Sequence, residues 1–279
     1  MEFSGAAAKS TATGRVAVVT GAAGGIGAAL AQRLAQNGAR VAITDVNADK
    51  LASTAARLTQ DHPGAIFAQA GDASSERDLS SLIAETESQF GPVEMFFANA
   101  GVGGGVGLDA SEHEWGQAIQ VNVLGHVRAA RLLVPRWIER GGGYFVSTAS
   151  AAGLITQLGS ATYAVSKHGA VAFAEWLAVT YGKQGIKVSC LCPMGVNTDM
   201  LTGGDGNSAG AVAQVSAKAV TEAGTVLEPL EVAGIVLDAI RDERFLILPH
   251  PEVLDFFQRK TSDYDRWIRG MRRYQEAVA

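Results

Sequence analysis

Ser150, Tyr163 and Lys167 set a hydroxyl, a phenol and an ammonium at fixed separations in Ser150-Ala-Ala-Gly-Leu-Ile-Thr-Gln-Leu-Gly-Ser-Ala-Thr-Tyr163-Ala-Val-Ser-Lys167. Tyr163 and Lys167 are four residues apart, so on a helix they share one face, one turn apart. An ammonium within ~4–6 Å of a phenol favours the phenolate. A tyrosine ordinarily ionises near ~10, and bringing it to neutrality requires roughly 4 kcal/mol of differential interaction. A close, desolvated cation and one good hydrogen bond are of that size, which makes Tyr163 a candidate acid/base. The same pair also occurs on ordinary amphipathic helices. The reading therefore depends on what the rest of the chain builds around it.

The 279 residues suffice for one large α/β domain with a full core. With 47% apolar and 18% charged residues, a disordered chain is excluded. The net charge of −5 gives no broad basic field, which argues against nucleic acid as a partner. No run approaches the ~18 apolar residues of a membrane span. Residues 1–13 lack an apolar stretch and are expected to form a flexible tail, not a signal peptide. Cys190 and Cys192 would share one face of a strand, lack C-x-x-C spacing, and fit reduced thiols in a cytoplasmic protein. The five histidines show no metal-ligand spacing, so no metal is expected.

The elements that would position Tyr163 begin at Arg15-Val-Ala-Val-Val-Thr20, a β-branched run that leads into Gly21-Ala-Ala-Gly-Gly25-Ile-Gly27 and a helix ended by Gly38. Strand, glycine loop and helix together aim free N–H groups at a phosphate. The second strand, from Arg40 to Thr44, ends in Asp45, where a carboxylate can accept hydrogen bonds from the adenosine ribose and repel a 2′-phosphate. No Arg or Lys stands at Val46 or Asn47, which favours NAD over NADP. A third strand, Gly64 to Gly71, ends at Asp72, and a fourth, Val93 to Ala98, runs into Asn99-Ala-Gly101. A helix from Ser111 to about Arg140 carries Asn122, whose amide would need a backbone carbonyl, an internal water or Lys167 as partner. A fifth strand, Gly143 to Thr148, ends by Ser150, and the helix of Tyr163 runs to about Lys183. The sixth strand, Ile186 to Cys192, leads to Pro193-Met-Gly-Val-Asn-Thr198, where Thr198 is placed to bond a cofactor amide or to cap a turn. A helix from Glu228 to Arg241 and a seventh strand, Arg244 to Leu248, follow.

Regular β–α alternation without a long linker predicts an α/β, doubly wound parallel sheet over 14–250, with ligands at the strand C-terminal ends. The loop at about 199–225 reads either as a mobile cover on the substrate side or as a passive connector. Residues 251–279 read as two amphipathic helices, an extension of the same domain that packs on its own subunit or covers the substrate cleft or a neighbouring subunit.

Together these residues resemble the short-chain dehydrogenase/reductase family over roughly Gly14 to Leu248. Thr20-Gly21-x-x-x-Gly25-x-Gly27 is similar to its cofactor loop, Asn99-Ala-Gly to its strand-end motif, and Asn122, Ser150, Tyr163 and Lys167 to its catalytic tetrad. Pro193-Met194 departs from the family's usual Pro-Gly. The resemblance implies a seven-stranded Rossmann sheet in the order 3-2-1-4-5-6-7 and NAD-dependent interconversion of a secondary alcohol and its ketone. Tyr163 would move the hydroxyl proton, Ser150 would bind the substrate oxygen, and Asn122 would position a water. Lys167 would lower the Tyr163 pKa and hold the nicotinamide ribose. The implied cofactor contacts are Gly21, Ala23, Gly24, Gly25, Ile26, Gly27, Asp45, Val46, Gly71, Asp72, Ala73, Asn99, Ala100, Gly101, Tyr163, Lys167, Pro193, Gly195, Val196 and Thr198. Val102, Ser150, Leu154, Met194, Met200 and tail aromatics are expected around the substrate. The resemblance further implies a homo-oligomer, a dimer or tetramer. The competing reading is a catalytically idle NAD-binding sensor or scaffold, for which an intact Ser150, Tyr163 and Lys167 would have no chemical use.

Overall fold

The computed structural model describes residues 12–202 and 218–278. Residues 1–11 of the expected tail and 203–217 of the expected substrate-side loop lie outside the described residues. Seven parallel strands form one sheet in the order β3-β2-β1-β4-β5-β6-β7. They are β1 (Val16–Thr20), β2 (Arg40–Thr44), β3 (Ile66–Ala68), β4 (Met95–Ala98), β5 (Gly143–Thr148), β6 (Ile186–Leu191) and β7 (Leu246–Ile247). The order in which successive strands are added reverses between β1 and β4, which pair in parallel with Val19 beside Phe97. Their carboxyl ends, Thr20 and Ala98, therefore open onto one crevice.

Alternation across the strands divides the core into two layers. Val18, Phe96, Phe145 and Val188 face α3 (Glu76–Phe90), α5 (Gly125–Glu139) and α7 (Ala161–Tyr181) on one side of the sheet. Val19, Phe97, Val146 and Leu191 face α1 (Gly25–Gln36), α2 (Ala48–Asp61) and α9 (Pro229–Arg241) on the other. Side-chain caps start several of these helices. Asn47 receives the Lys50 N–H at 3.0 Å, Ser75 the Asp78 N–H at 3.2 Å, and Ser160 the Tyr163 N–H at 3.3 Å. The remaining helices are α4 (Glu112–Ile119), the short α6 (Ala152–Ile155) and α8 (Asp199–Thr202), and the C-terminal pair α10 (Glu252–Ser262) and α11 (Tyr264–Val278).

Several boundaries differ from the sequence pattern. The single helix expected from Ser111 to about Arg140 is broken into α4 and α5 by a π-helical turn, Gln120–Leu124. That wider turn sets Asn122 fully inside the protein. β3 closes at Ala68, short of the expected Gly71, and β7 spans two residues instead of five. The helix of Tyr163 ends at Tyr181 and finishes in a short 3₁₀ turn.

One buried group leaves a pH signature on the fold. His126 is buried on α5, its Nδ1 is 3.0 Å from Ser147 Oγ, and its Nε2 has no hydrogen-bond partner among the described residues. Burial, with the Lys167 charge adding to it, pushes its pKa from 6.5 down to about 3. The unfolded chain thus binds a proton in this window that the native state refuses. The stability tied to a neutral His126 is complete above pH 6.5 and is lost as pH falls toward 3. Replacing His126 with Phe is expected to reduce the loss of stability between pH 7 and pH 4 by about 3 kcal/mol, read by urea denaturation at each pH. Equal losses in the two proteins would refute the assignment.

Candidate active site

The glycine loop is held by β1 and β4 together. Thr20 Oγ1 accepts the N–H groups of Asn99 and Ala100, each at 3.0 Å, and donates to the Phe97 carbonyl at 3.3 Å. Asn99 returns its amide to the carbonyls of Thr20 and Gly21 at 3.0 and 3.3 Å. Gly21 has a φ of 63°, and a Cβ there would meet Ala100 Cα at 2.7 Å. A Cβ on Gly27 would run into the Gly21 carbonyl oxygen. The first turn of α1 has no side-chain cap and no acidic residue, so its N–H groups remain directed into the crevice. Asp45 takes the Ala23 N–H at 3.1 Å and the Asn47 N–H at 3.0 Å, fixing its carboxylate beside the loop.

Ser150, Tyr163 and Lys167 line the same cavity as the glycine loop. Ser150 Oγ accepts the Ala152 N–H at 3.1 Å and donates to the Pro193 carbonyl at 3.4 Å. Lys167 is buried, donates from Nζ to the Thr148 carbonyl at 3.0 Å, and sits 5.6 Å from the centre of the Tyr163 ring. Burial lowers its pKa from 10.5 to about 8. Burial also raises the Tyr163 pKa above 10, and the hydrogen bond with Ser150 offsets this only in part. Desolvation thus opposes the expected pull of Lys167 on the phenol, and the ammonium itself is committed to a carbonyl. Asn122 is fully satisfied: Val102 N–H and C=O both bond its amide at 2.9 Å, and its Nδ2 reaches Ser166 Oγ at 2.9 Å. Of the three partners considered for it, a backbone carbonyl is the one found. A Cβ on Gly101 would lie 3.2 Å from both Asn122 Oδ1 and Lys167 Nζ, so the end of β4 threads between these two side chains.

The cavity measures about 1180 Å³ and runs from Asp45 and Val46, past Gly21 and Gly24–Gly27, to Asn99–Gly101, Pro193, Val196 and Thr198. Ala23, Gly25, Ile26 and Ala100 lie on this wall as expected, as do Met194 and Met200. Six expected residues do not. Gly71, Asp72 and Ala73 lie beyond the early end of β3. The Asp72 carboxylate is taken by Ser74 N–H and Oγ at 2.7 and 2.8 Å. Val102 is clamped by Asn122, the Leu154 side chain is buried in the core, and Gly195 gives its carbonyl to His250.

Sequence reasoning missed His250, which is buried. Its Nδ1 accepts the Met194 N–H at 3.1 Å, so Nε2–H donates to the Gly195 and Thr225 carbonyls at 3.0 and 3.1 Å. This ring fixes the loop that departs from Pro-Gly. A lone histidine some fifty residues away in sequence carries no pattern that links it to Met194. The tail completes the far wall with Phe256 and Arg259 of α10 and Trp267, Met271 and Tyr274 of α11.

Comparison with known proteins agrees with this geometry. A short chain dehydrogenase family model matches residues 15–207. The chain is 36% identical over 243 residues to 1-deoxy-11-beta-hydroxypentalenate dehydrogenase of Streptomyces exfoliatus, spanning 85% of this chain and 84% of that protein. It is 31% identical over 192 residues to levodione reductase of Leifsonia aquatica, spanning 68% and 72%. A solved short chain dehydrogenase/reductase from Burkholderia phymatum, in complex with NAD, superposes with a TM-score of 0.82 at 28% identity, over 91% of this chain and 95% of that one. The chain belongs to the short-chain dehydrogenase/reductase family, NAD(P)-binding oxidoreductases of alcohols and ketones.

The residues present fit a nicotinamide dinucleotide. Side chains at Gly21 and Gly27 would collide with backbone, the α1 N–H groups lack any internal anion, and the crevice continues without interruption to Tyr163. The depressed pKa of Lys167 can be tested separately from any ligand. Its unfolded-state value lies above the folded one, so stability rises with pH between about 8 and 10.5. Wild type is expected to gain about 3 kcal/mol on Lys167→Met across that window in chemical denaturation. A constant difference between the two would contradict a buried, desolvated ammonium.

Proposed function

We propose that this protein interconverts a secondary alcohol and its ketone with NAD, Tyr163 exchanging the proton with the substrate oxygen. The observation that carries the reading is the meeting of Ser150, Tyr163 and Lys167 on the wall of a cavity that also holds the glycine loop and Asp45. Bound along that loop, the dinucleotide would supply the hydride acceptor or donor. Ser150 Oγ then orients the substrate oxygen against the Tyr163 hydroxyl. Lys167, tied to the Thr148 carbonyl, presents a positive charge beside the ring and is placed to hold the ribose. Asn122 acts through the backbone of Val102 and through Ser166, one turn from Tyr163, and so positions both the β4 exit and the catalytic helix.

Asp45 supports NAD, since its fixed carboxylate would repel a 2′-phosphate. Lys50, which lines the same cavity, is paired with Asp199 at 3.0 Å. The related Burkholderia protein is described with NAD. The outward face of α7 exposes Val165, Trp176 and Val179, which supports assembly of identical copies through this helix. Light scattering of wild type and Val179→Glu tests that assembly, and a wild-type monomer would exclude it.

Tyr163→Phe is expected to lower kcat by roughly 10²–10⁴-fold while NADH binding, followed by fluorescence, persists. Because the phenol is held above its ordinary pKa, the protonated form prevails at neutrality. Ketone reduction, which needs the phenol, should be flat near pH 7 and fall in alkali. Alcohol oxidation, which needs the phenolate, should rise with pH. Oxidation that declines from pH 7 to 9, or substantial turnover by Tyr163→Phe, would overturn the role. The same assays run with NADP test Asp45, and a preference for NADP contradicts its assignment.

A further inference from the structure

The charged groups on the cavity wall fall into two sets. Asp45, Lys50, Asp199 and Lys167 are each held by a partner already described. Arg259 of α10 and Glu222 are not: among the described residues neither side chain makes a hydrogen bond or an ion pair, with each other or with anything else. Arg259 and Glu222 are both exposed on that wall, which also carries the apolar side chains of Phe256, Trp267, Met271 and Leu158.

The next residue explains why Arg259 stays at that wall. Lys260 is 8% exposed, and its Nζ donates to the Leu154 carbonyl at 2.6 Å and lies 3.4 Å from His168 Nε2. His168 gives Nδ1–H to the Ala164 carbonyl at 2.8 Å, so Nε2 is the acceptor facing Lys260. Leu154 ends the segment that follows Ser150, and His168 follows Lys167. A buried ammonium thus fastens α10 to both catalytic segments, with Val253 buried about two turns before it on the same helix. Arg259, at the edge of this buried stripe, is carried on a fixed backbone with its guanidinium unspent.

We propose that Arg259 binds a carboxylate on an otherwise apolar substrate. This rests on the alcohol and ketone reading and names the substrate class within it. A guanidinium offers two parallel N–H donors to a carboxylate, and the cavity that Arg259 lines also holds Ser150 and Tyr163. Glu222 lines the same cavity and would oppose an anion there as a like charge. A charged hydrogen bond of this kind corresponds to roughly a 10–100-fold change in affinity.

The test titrates the NADH complex with decahydronaphthalene-2-carboxylate and with its carboxamide, by calorimetry. Wild type is expected to bind the carboxylate roughly 10–100-fold more tightly than Arg259→Gln does, with carboxamide affinity the same in both. Glu222→Gln should tighten the carboxylate alone. Raising salt should weaken carboxylate binding to wild type and leave Arg259→Gln unmoved. Equal binding of acid and amide by wild type, or an equal loss of both in Arg259→Gln, overturns the proposal. Turnover of hydroxy derivatives of the same skeleton is scored separately. Binding that depends on Arg259 without NAD reduction would count against the dehydrogenase reading and leave the carboxylate site standing.

Discussion

A buried ammonium must find an acceptor, and Lys167 finds one in the carbonyl of Thr148, the last residue of β5. Much of the site follows from that contact. Leaving such a charge unpaired would cost several kcal/mol, so the helix carrying Lys167 is locked against the end of β5. The same lock sets Tyr163, one turn earlier, over the cavity, with the ammonium 5.6 Å from its ring. It also constrains β4, because the chain leaving that strand passes between Lys167 and Asn122, where a Cβ on Gly101 would be crowded at 3.2 Å by both. One hydrogen bond therefore couples two strand ends and the helix of Tyr163.

On the cofactor side the equivalent constraint is Thr20. Its hydroxyl satisfies two N–H groups of the β4 exit, and Asn99 satisfies two carbonyls of the β1 exit in return. These exits are neighbours only because the strand order reverses between β1 and β4. The crevice is thus a property of topology, made rigid by two polar side chains and lined by glycine where backbone must approach backbone.

The sequence made some of this legible for specific reasons. Tyr163, Lys167, Gly21 and Gly27 could be read because their chemistry or their lack of a side chain dictates type and spacing. The alternation of strands and helices dictated the sheet. Asp72 is less legible, because a carboxylate after a strand looks the same whether it faces a ligand or caps its own turn, and here it bonds Ser74. The π-helical turn at Gln120–Leu124 leaves no periodic trace, since one added residue shifts a helix face without changing composition. His250 acts through backbone groups at Met194, Gly195 and Thr225, and contacts to backbone impose no residue type on their partners. The direction of the Tyr163 pKa depended on burial, which no spacing of residues reveals.

Two buried lysines organise the two halves of the cavity by the same physical means. Lys167 donates to the end of a strand and fixes the reacting groups, whereas Lys260 donates to the end of α6 and fixes the wall opposite the glycine loop. Each is held by a carbonyl and not by a carboxylate. For Lys167 the ammonium lies beside the phenol. For Lys260 it lies against His168, the residue after Lys167, so the C-terminal extension and the catalytic helix share an electrostatic boundary as well as a packed one. A change in how α10 sits would alter the surroundings of the substrate and the footing of the catalytic helix together. That coupling ties the extension to the wall of the cavity shared with Tyr163, although the family resemblance read from the sequence stops at Leu248.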